Sequence, residues 1–221
     1  MLHGLFVTGT GTNVGKTVVS AAIMHRYRSS SSLRYWKPVQ TGIEQDDDTE
    51  TVRILGDCND QELFCAGIRL AGPVSPHLAA KLSQTSIQIP DLLSLIATEP
   101  TAVRWVIEGA GGVLVPLNES ELMVDLMLQL HLAVLIVTSS GLGTINHTLL
   151  TLEALRARGI QVAGVVMVGE RNSSNREAIE DYGDVQVIGE LPRIPELTSN
   201  LLNRWANSEL DPSGLLGEFL Q

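Results

Sequence analysis

From Thr8 to Thr17 the chain reads TGTGTNVGKT, and the residue types in that stretch suit work on an anion. Glycines let backbone amides face phosphate oxygens, Lys16 adds an ammonium and Thr17 a hydroxyl. In such a loop the backbone from Asn13 through Val14, Gly15, Lys16 and Thr17 to Val18 cradles the phosphates of a nucleotide. Lys16 reaches the β- and γ-phosphates, and the Thr17 hydroxyl is a ligand for Mg²⁺. Five residues separate Gly9 from Gly15, one more than the usual phosphate loop allows. Alone, this motif gives nucleotide binding but no reaction.

Further residues supply candidates for the reaction. In YWKPVQTG, Pro38 stops a strand just after Lys37. That strand is expected beside the first one, which brings Lys37 to the phosphates. Two lysines at one phosphoryl group suit a reaction that builds negative charge there. Gln40 and Thr41 follow as candidate hydrogen-bonding partners of a substrate. The run EQDDDTETV is largely a solvated loop entering a helix. With Asp48 as the N-cap, Val52 and Leu55 fall on the buried helix face, so Asp48 is the preferred Mg²⁺ ligand and Asp47 the next. In VRWVIEGAGGVLVPL, Glu108 ends an apolar strand and is followed by Gly109, Ala110, Gly111 and Gly112. A carboxylate there is costly unless paired, and Mg²⁺ or Lys16 is its natural partner. The glycines let a ligand approach the backbone. Gly143, Thr144 and Ile145 precede a helix expected from Asn146, where free amides either bind a carboxylate or are simply capped. In GELPRIPEL, Pro192 and Pro195 make a rigid loop at the nucleotide edge, against which a base can rest.

These residues need a scaffold. Short apolar runs recur at Gly4–Thr8, Leu33–Lys37, Val103–Ile107, Leu132–Thr138, Val162–Val168 and Val185–Gly189. Their β-branched content without alternation suits strands buried on both faces. Helical patterns lie between them, at Lys16–Tyr27, Pro90–Thr98, Glu121–Gln129, Asn146–Arg158 and Asn175–Tyr182. Strand-helix alternation predicts an α/β fold with a mostly parallel central sheet and helices on both faces. Such sheets bind ligands beyond the carboxyl ends of their strands, where each candidate above falls. No internal repeat or linker divides residues 1–221, so one domain is expected. The C-terminal stretch from Leu197 reads as a helix followed by a frayed or docked end.

The 15 basic and 25 acidic side chains give a net charge of -10, which disfavours nucleic acid and anionic membranes as partners. Cys58 and Cys65 are too few for a disulfide framework. No stretch has the ~18 uninterrupted apolar residues of a membrane span. The first residues lack the basic and apolar regions of a signal peptide, so a cytoplasmic setting is expected.

Taken together, GTGTNVGKT, WKPVQTG, DTETV, SPHLAA, EGAGGVLVPL, GLGTINHTLLT and GELP resemble the dethiobiotin synthetases in order and spacing, from Gly4 to about Leu197. The long phosphate loop is typical of that family, and KPVQTG with EGAGG is highly specific. The resemblance implies a P-loop NTPase-like fold and a reaction among ATP, CO2 and 7,8-diaminononanoate (7,8-diaminopelargonate). One amine becomes a carbamate, ATP phosphorylates it to a mixed anhydride, and the second amine closes a ureido ring. By position, Lys37 corresponds to the catalytic lysine, and Lys16 of the phosphate loop is the second catalytic candidate. Thr17, Asp48 and Glu108 correspond to the Mg²⁺ ligands, and Thr41 to a substrate contact. Members act as homodimers, so Gly143, Thr144 and Asn146 serve the site of the other subunit. Many members carry an asparagine near the end of the GVVM strand that contacts adenine. Here Val168 stands in that place, with Asn172 or Asn175 as substitutes from the following loop. A partition-type ATPase would carry a second lysine near the start of the phosphate loop, where this chain has Gly9, Thr10 and Gly11. A related amidotransferase-type synthase would need a further glutaminase domain. A binding module without catalysis would leave Lys37 and Thr41 idle.

Overall fold

The computed structural model describes residues 2–221. Seven parallel strands form its central sheet. They are β1 (His3–Gly9), β2 (Leu33–Trp36), β4 (Leu63–Phe64), β6 (Arg104–Gly112), β7 (Ala133–Ser139), β8 (Val162–Val168) and β9 (Val187–Leu191), in the order β4-β2-β6-β1-β7-β8-β9. β3 (Val39–Thr41) and β5 (Ile68–Leu70) pair separately as a small parallel ribbon.

Side-chain alternation along the strands feeds two cores. Phe6 of β1 points to one face, where it meets Ile107, Ile136 and Met167. On that face pack α3 (Pro76–Leu82), α4 (Ile89–Ile96), α5 (Met123–Leu130), α6 (Thr144–Arg156) and α7 (Ser173–Gly183). Leu5 and Val7 point to the other face, with Tyr35, Val106 and Leu135. It is covered by α1 (Lys16–Tyr27), α2 (Asp48–Leu55), α8 (Ser199–Ser208) and the short α9 (Gly217–Leu220). Burial on both faces is why these strands read as continuous apolar runs. The C-terminal stretch is docked rather than frayed. Asp211 is fully buried. It accepts hydrogen bonds from the Tyr27 hydroxyl (2.5 Å) and from the amides of Leu215 and Leu216, tying the tail to α1.

The sheet order corrects one expectation. β2 does not neighbour β1, because β6 lies between them. Lys37, one residue beyond β2, therefore reaches the phosphate loop across β6. The register makes this possible, since Trp36 pairs with Ile107 and Val7 with Glu108. A second correction concerns β6, which does not end at Glu108. After an irregularity in its pairing with β1 it continues to Gly112, opposite Gly9. A third concerns α2, whose N-cap is Asp47. Its carboxylate accepts from the amides of Thr49 and Glu50, and Asp48 is the first helical residue.

Candidate active site

The phosphate loop joins β1 to α1. Gly15 caps the helix at φ 99, a left-handed conformation that favours glycine. A Cβ there would also stand 3.0 Å from Val168 Cγ2, so Val168 lies directly against this loop. Lys16 begins α1, and its Nζ donates to the Gly11 carbonyl (2.9 Å), folding the side chain back over the loop. Burial, and secondarily the nearby Lys37 ammonium, lower its pKa to about 8 despite Glu108 and Asp48.

Thr17 Oγ1 lies 2.7 Å from Asp48 Oδ1 and 3.0 Å from Glu108 Oε1. Lys37 Nζ is 2.5 Å from Asp48 Oδ2 and 2.8 Å from Glu108 Oε1, and it also donates to the Gly109 carbonyl (3.0 Å). The Lys37 side chain is only 3% exposed and that of Glu108 0%. Burial opposes the Lys37 ammonium, yet Glu108 and Asp48 hold its pKa above the ordinary lysine value. Burial likewise pushes Asp48 up, but Lys37, Thr17 and Lys16 outweigh it and hold that carboxyl below the usual range.

Glu108 has two further partners. Ser20 Oγ (3.1 Å) and the Tyr35 hydroxyl (2.9 Å) both donate to its Oε2. Burial, then the Glu108 and Asp48 charges, raise the Tyr35 pKa well above the usual tyrosine value, which keeps it a donor. Neither residue stood out in the sequence, where both read as core. The signal was their spacing, with Ser20 three residues after Thr17 on one helix and Tyr35 two residues before Lys37 on one strand.

The oxygens of Thr17, Asp48 and Glu108 fit a magnesium ion. Hard oxygen donors about 2.05 Å from Mg²⁺ and at right angles to one another stand about 2.9 Å apart. Thr17 stands 2.7 and 3.0 Å from its two neighbours at hydrogen-bond distance, so what supports the fit is the donor chemistry, one hydroxyl and two carboxylates, all hard oxygens. Lys37 holds these same carboxylates, so a divalent ion bound there would compete with its ammonium for them.

These groups open onto a cleft of ≈ 720 Å³. Asn13, Gly15, Lys16, Thr17 and Val18 line it from the phosphate loop, and Glu108, Ala110 and Gly111 from β6. Lys37, Gln40 and Thr41 line it from the β2–β3 segment, and Asp48 from α2. The Gln40 amide nitrogen is held by the carbonyls of Thr41 and Asp46.

Other candidates fall outside the cleft lining. Val14 packs against the core beneath the loop. Gly109 contributes its carbonyl to Lys37 and is tight for a packing reason, since a Cβ there would stand 2.8 Å from the Phe6 ring. Pro192 follows β9 at the sheet edge. Gly143 caps α6, and Asn146 is exposed on its first turn. Thr144 is committed elsewhere. Its hydroxyl meets Thr138 Oγ1 (2.9 Å) and its amide donates to the Gly141 carbonyl (3.2 Å). Asn172 caps α7, and the Asn175 amide nitrogen donates to the Ser140 carbonyl, so both asparagines already hold local structure.

Comparison with known proteins gives the family and the fold. A family model described as an AAA domain matches residues 3–200. The ATP-dependent dethiobiotin synthetase of Paramagnetospirillum magneticum is 44% identical over 198 residues, covering 90% of this chain and 92% of that protein. That of Agrobacterium fabrum is 42% identical over 198 residues, covering 90% of each. Among solved structures, the ParA family ATPase from Chlorobium tepidum superposes with a TM-score of 0.53 at 12% identity, covering 99% of this chain and 97% of that one. At that identity the likeness shows a common P-loop NTPase fold and nothing of the reaction.

Proposed function

The chain belongs to the ATP-dependent dethiobiotin synthetase family and is an ATP-dependent ligase, and from that premise we propose how its residues carry out the reaction. Dethiobiotin synthesis is a step of biotin biosynthesis. The substrates in this reading are ATP, CO2 and 7,8-diaminononanoate. One amine of the diamine adds to CO2 to form a carbamate. A carbamate oxygen attacks the γ-phosphorus of ATP, giving a carbamic-phosphoric mixed anhydride and ADP. The second amine then attacks the carbamoyl carbon, closes the ureido ring and expels phosphate.

The observation that carries this reading is the juxtaposition of Lys16, Lys37, Thr17, Asp48 and Glu108 on one cleft. Attack of one anion on another needs cations around the transferring group. Lys16, on the first turn of α1, neutralises the β- and γ-phosphates together with the helix amides. Lys37 enters from the opposite side of β6, where it screens the carbamate oxygen as it approaches. Thr41, on the small ribbon over the cleft, hydrogen-bonds the diamine. Thr17, Asp48 and Glu108 hold magnesium, which when bound offsets charge on the phosphate oxygens.

A second copy of the chain completes the site in this reading, with its Gly143–Asn146 segment receiving the carboxylate tail of the diamine. The fully exposed Leu142, one residue before that segment, and the exposed Leu150 of α6 support this reading as apolar side chains open to solvent beside it. No helix among the described residues is long and apolar enough to cross a membrane, and a cytoplasmic enzyme is proposed.

Phosphate release is the test, with ATP, Mg²⁺, bicarbonate and 7,8-diaminononanoate omitted in turn. Release that requires all of them, with a cyclic urea product by mass, is expected. Release that continues without the diamine would point instead to a switch-type ATPase.

A further inference from the structure

We infer that Tyr35 and Ser20 are positioning residues, which fix the Glu108 carboxylate so that one chosen oxygen faces the cleft. The inference rests on the reading of Glu108 as a metal ligand. Two elements grip this carboxylate in the same way. From α1, Thr17 contacts Oε1 and Ser20 contacts Oε2. The two residues are three apart and so share a helix face. From β2 and the residue that follows it, Tyr35 contacts Oε2 and Lys37 contacts Oε1. They are two apart and so share a strand face. Each element therefore offers one group on the cleft and one group beneath it.

The groups divide by chemistry as well as by place. Thr17 and Lys37 line the cleft. Ser20 and Tyr35 are fully buried and touch no part of it. Both inner groups are neutral hydroxyls, which satisfy Oε2 without competing as cations for the carboxylate charge. With Oε2 held by two donors, rotation of the carboxylate is blocked and Oε1 is the oxygen presented. Such partners of a ligand carboxylate commonly influence metal affinity by about 10–100-fold.

The test is Mn²⁺ binding to the full-length protein with ATP present and the diamine withheld, read by the electron paramagnetic resonance signal of free Mn²⁺. Tyr35→Phe is expected to weaken Mn²⁺ at least about tenfold. Its ATP affinity in excess chelator should stay within about twofold of the wild type, because neither inner hydroxyl faces the nucleotide. Ser20→Ala should likewise weaken Mn²⁺ and leave ATP affinity in chelator near the wild-type value, and it decides the matter if Tyr35→Phe folds poorly. Glu108→Gln is the control. If it weakens Mn²⁺ while both inner variants bind the ion like wild type, the positioning role is overturned and the ligand reading stands. If Glu108→Gln itself leaves Mn²⁺ affinity unchanged, the ligand reading fails and the inference with it. Equal losses with and without metal in the inner variants would mark a merely structural role and also overturn it.

Discussion

Replacing Lys37 by methionine removes one charge while keeping most of the side-chain volume, and its consequences follow from the contacts. The ammonium lies within 2.8 Å of oxygens from both Asp48 and Glu108. Without it, two carboxylates face each other in a buried setting. Breaking a buried ion pair by removing one partner costs about 3–5 kcal/mol. The lower end applies here, because the Asp48 side chain keeps 15% exposure and Glu108 retains the hydroxyls of Thr17, Ser20 and Tyr35. A loss of about 3 kcal/mol lowers Tm by roughly 6–12 °C in a chain of this size. Calorimetry in chelator should show that drop. Millimolar Mg²⁺ should restore much of it in Lys37→Met while moving the wild type little, because only in the wild type must the ion displace an ammonium. The pH dependence follows from Asp48. Its carboxyl is held below the usual range in the wild type, so the stabilisation is present above an unfolded pKa of about 3.9 and is lost as pH falls through the lower folded value. The gap between variant and wild type should therefore close in acid. Turnover should nearly vanish in the variant while ATP binding persists. A variant melting within about 2 °C of wild type, with the same response to Mg²⁺, would refute the reasoning.

Two further outcomes follow from groups on either side of the site. Lys16 has a pKa lowered to about 8, and bound phosphates must raise it, so ATP binding takes up a proton above that pH. ATP affinity should be flat up to about pH 7 and weaken as pH rises through 8 and beyond. Titration calorimetry in buffers of different ionisation heat checks this, and an affinity unchanged between about pH 7 and 9 would contradict it. Tyr27→Phe leaves the buried Asp211 with the amides of Leu215 and Leu216 and the long contact from the Ser213 hydroxyl (3.5 Å), but without its short hydroxyl donor. A loss of about 1.5–3 kcal/mol is expected by denaturant unfolding, with the C-terminal segment more open to protease. A loss under about 0.5 kcal/mol would show that the hydroxyl contributes little.

Much of this molecule was legible in its sequence, and the part that was not has physical reasons. Six of the seven strands of the central sheet announce themselves because both faces are buried and their residues are apolar without interruption. Strand order does not, since nothing local to Leu33–Trp36 says that β6 will insert beside it. β3, β4 and β5 span three, two and three residues, too short for a period to be seen. Asp48 was placed on the site by a mistaken cap assignment. Asp47 makes the cap, and the shift of one residue is what turns Asp48 toward Thr17 and Lys37. Ser20 and Tyr35 were hidden because a hydroxyl buried against a carboxylate looks, in sequence, like one more core position. Thr144 shows the reverse. Its loop suggested an anion site, but the hydroxyl and amide of Thr144 itself are used within the fold, which leaves that role to the rest of the segment.

In the proposed reaction a carbamate oxygen attacks ATP in a site built from Lys16, Lys37 and the Thr17–Asp48–Glu108 trio. Oxygen labelling tests it most directly. CO2 labelled with ¹⁸O is mixed rapidly with enzyme, Mg·ATP and 7,8-diaminononanoate, and the released phosphate is analysed by mass. Attack through a carbamate oxygen carries one labelled atom into phosphate when the ring closes, and that transfer is the expected result. Phosphate formed alongside the cyclic urea but carrying no label would contradict the account.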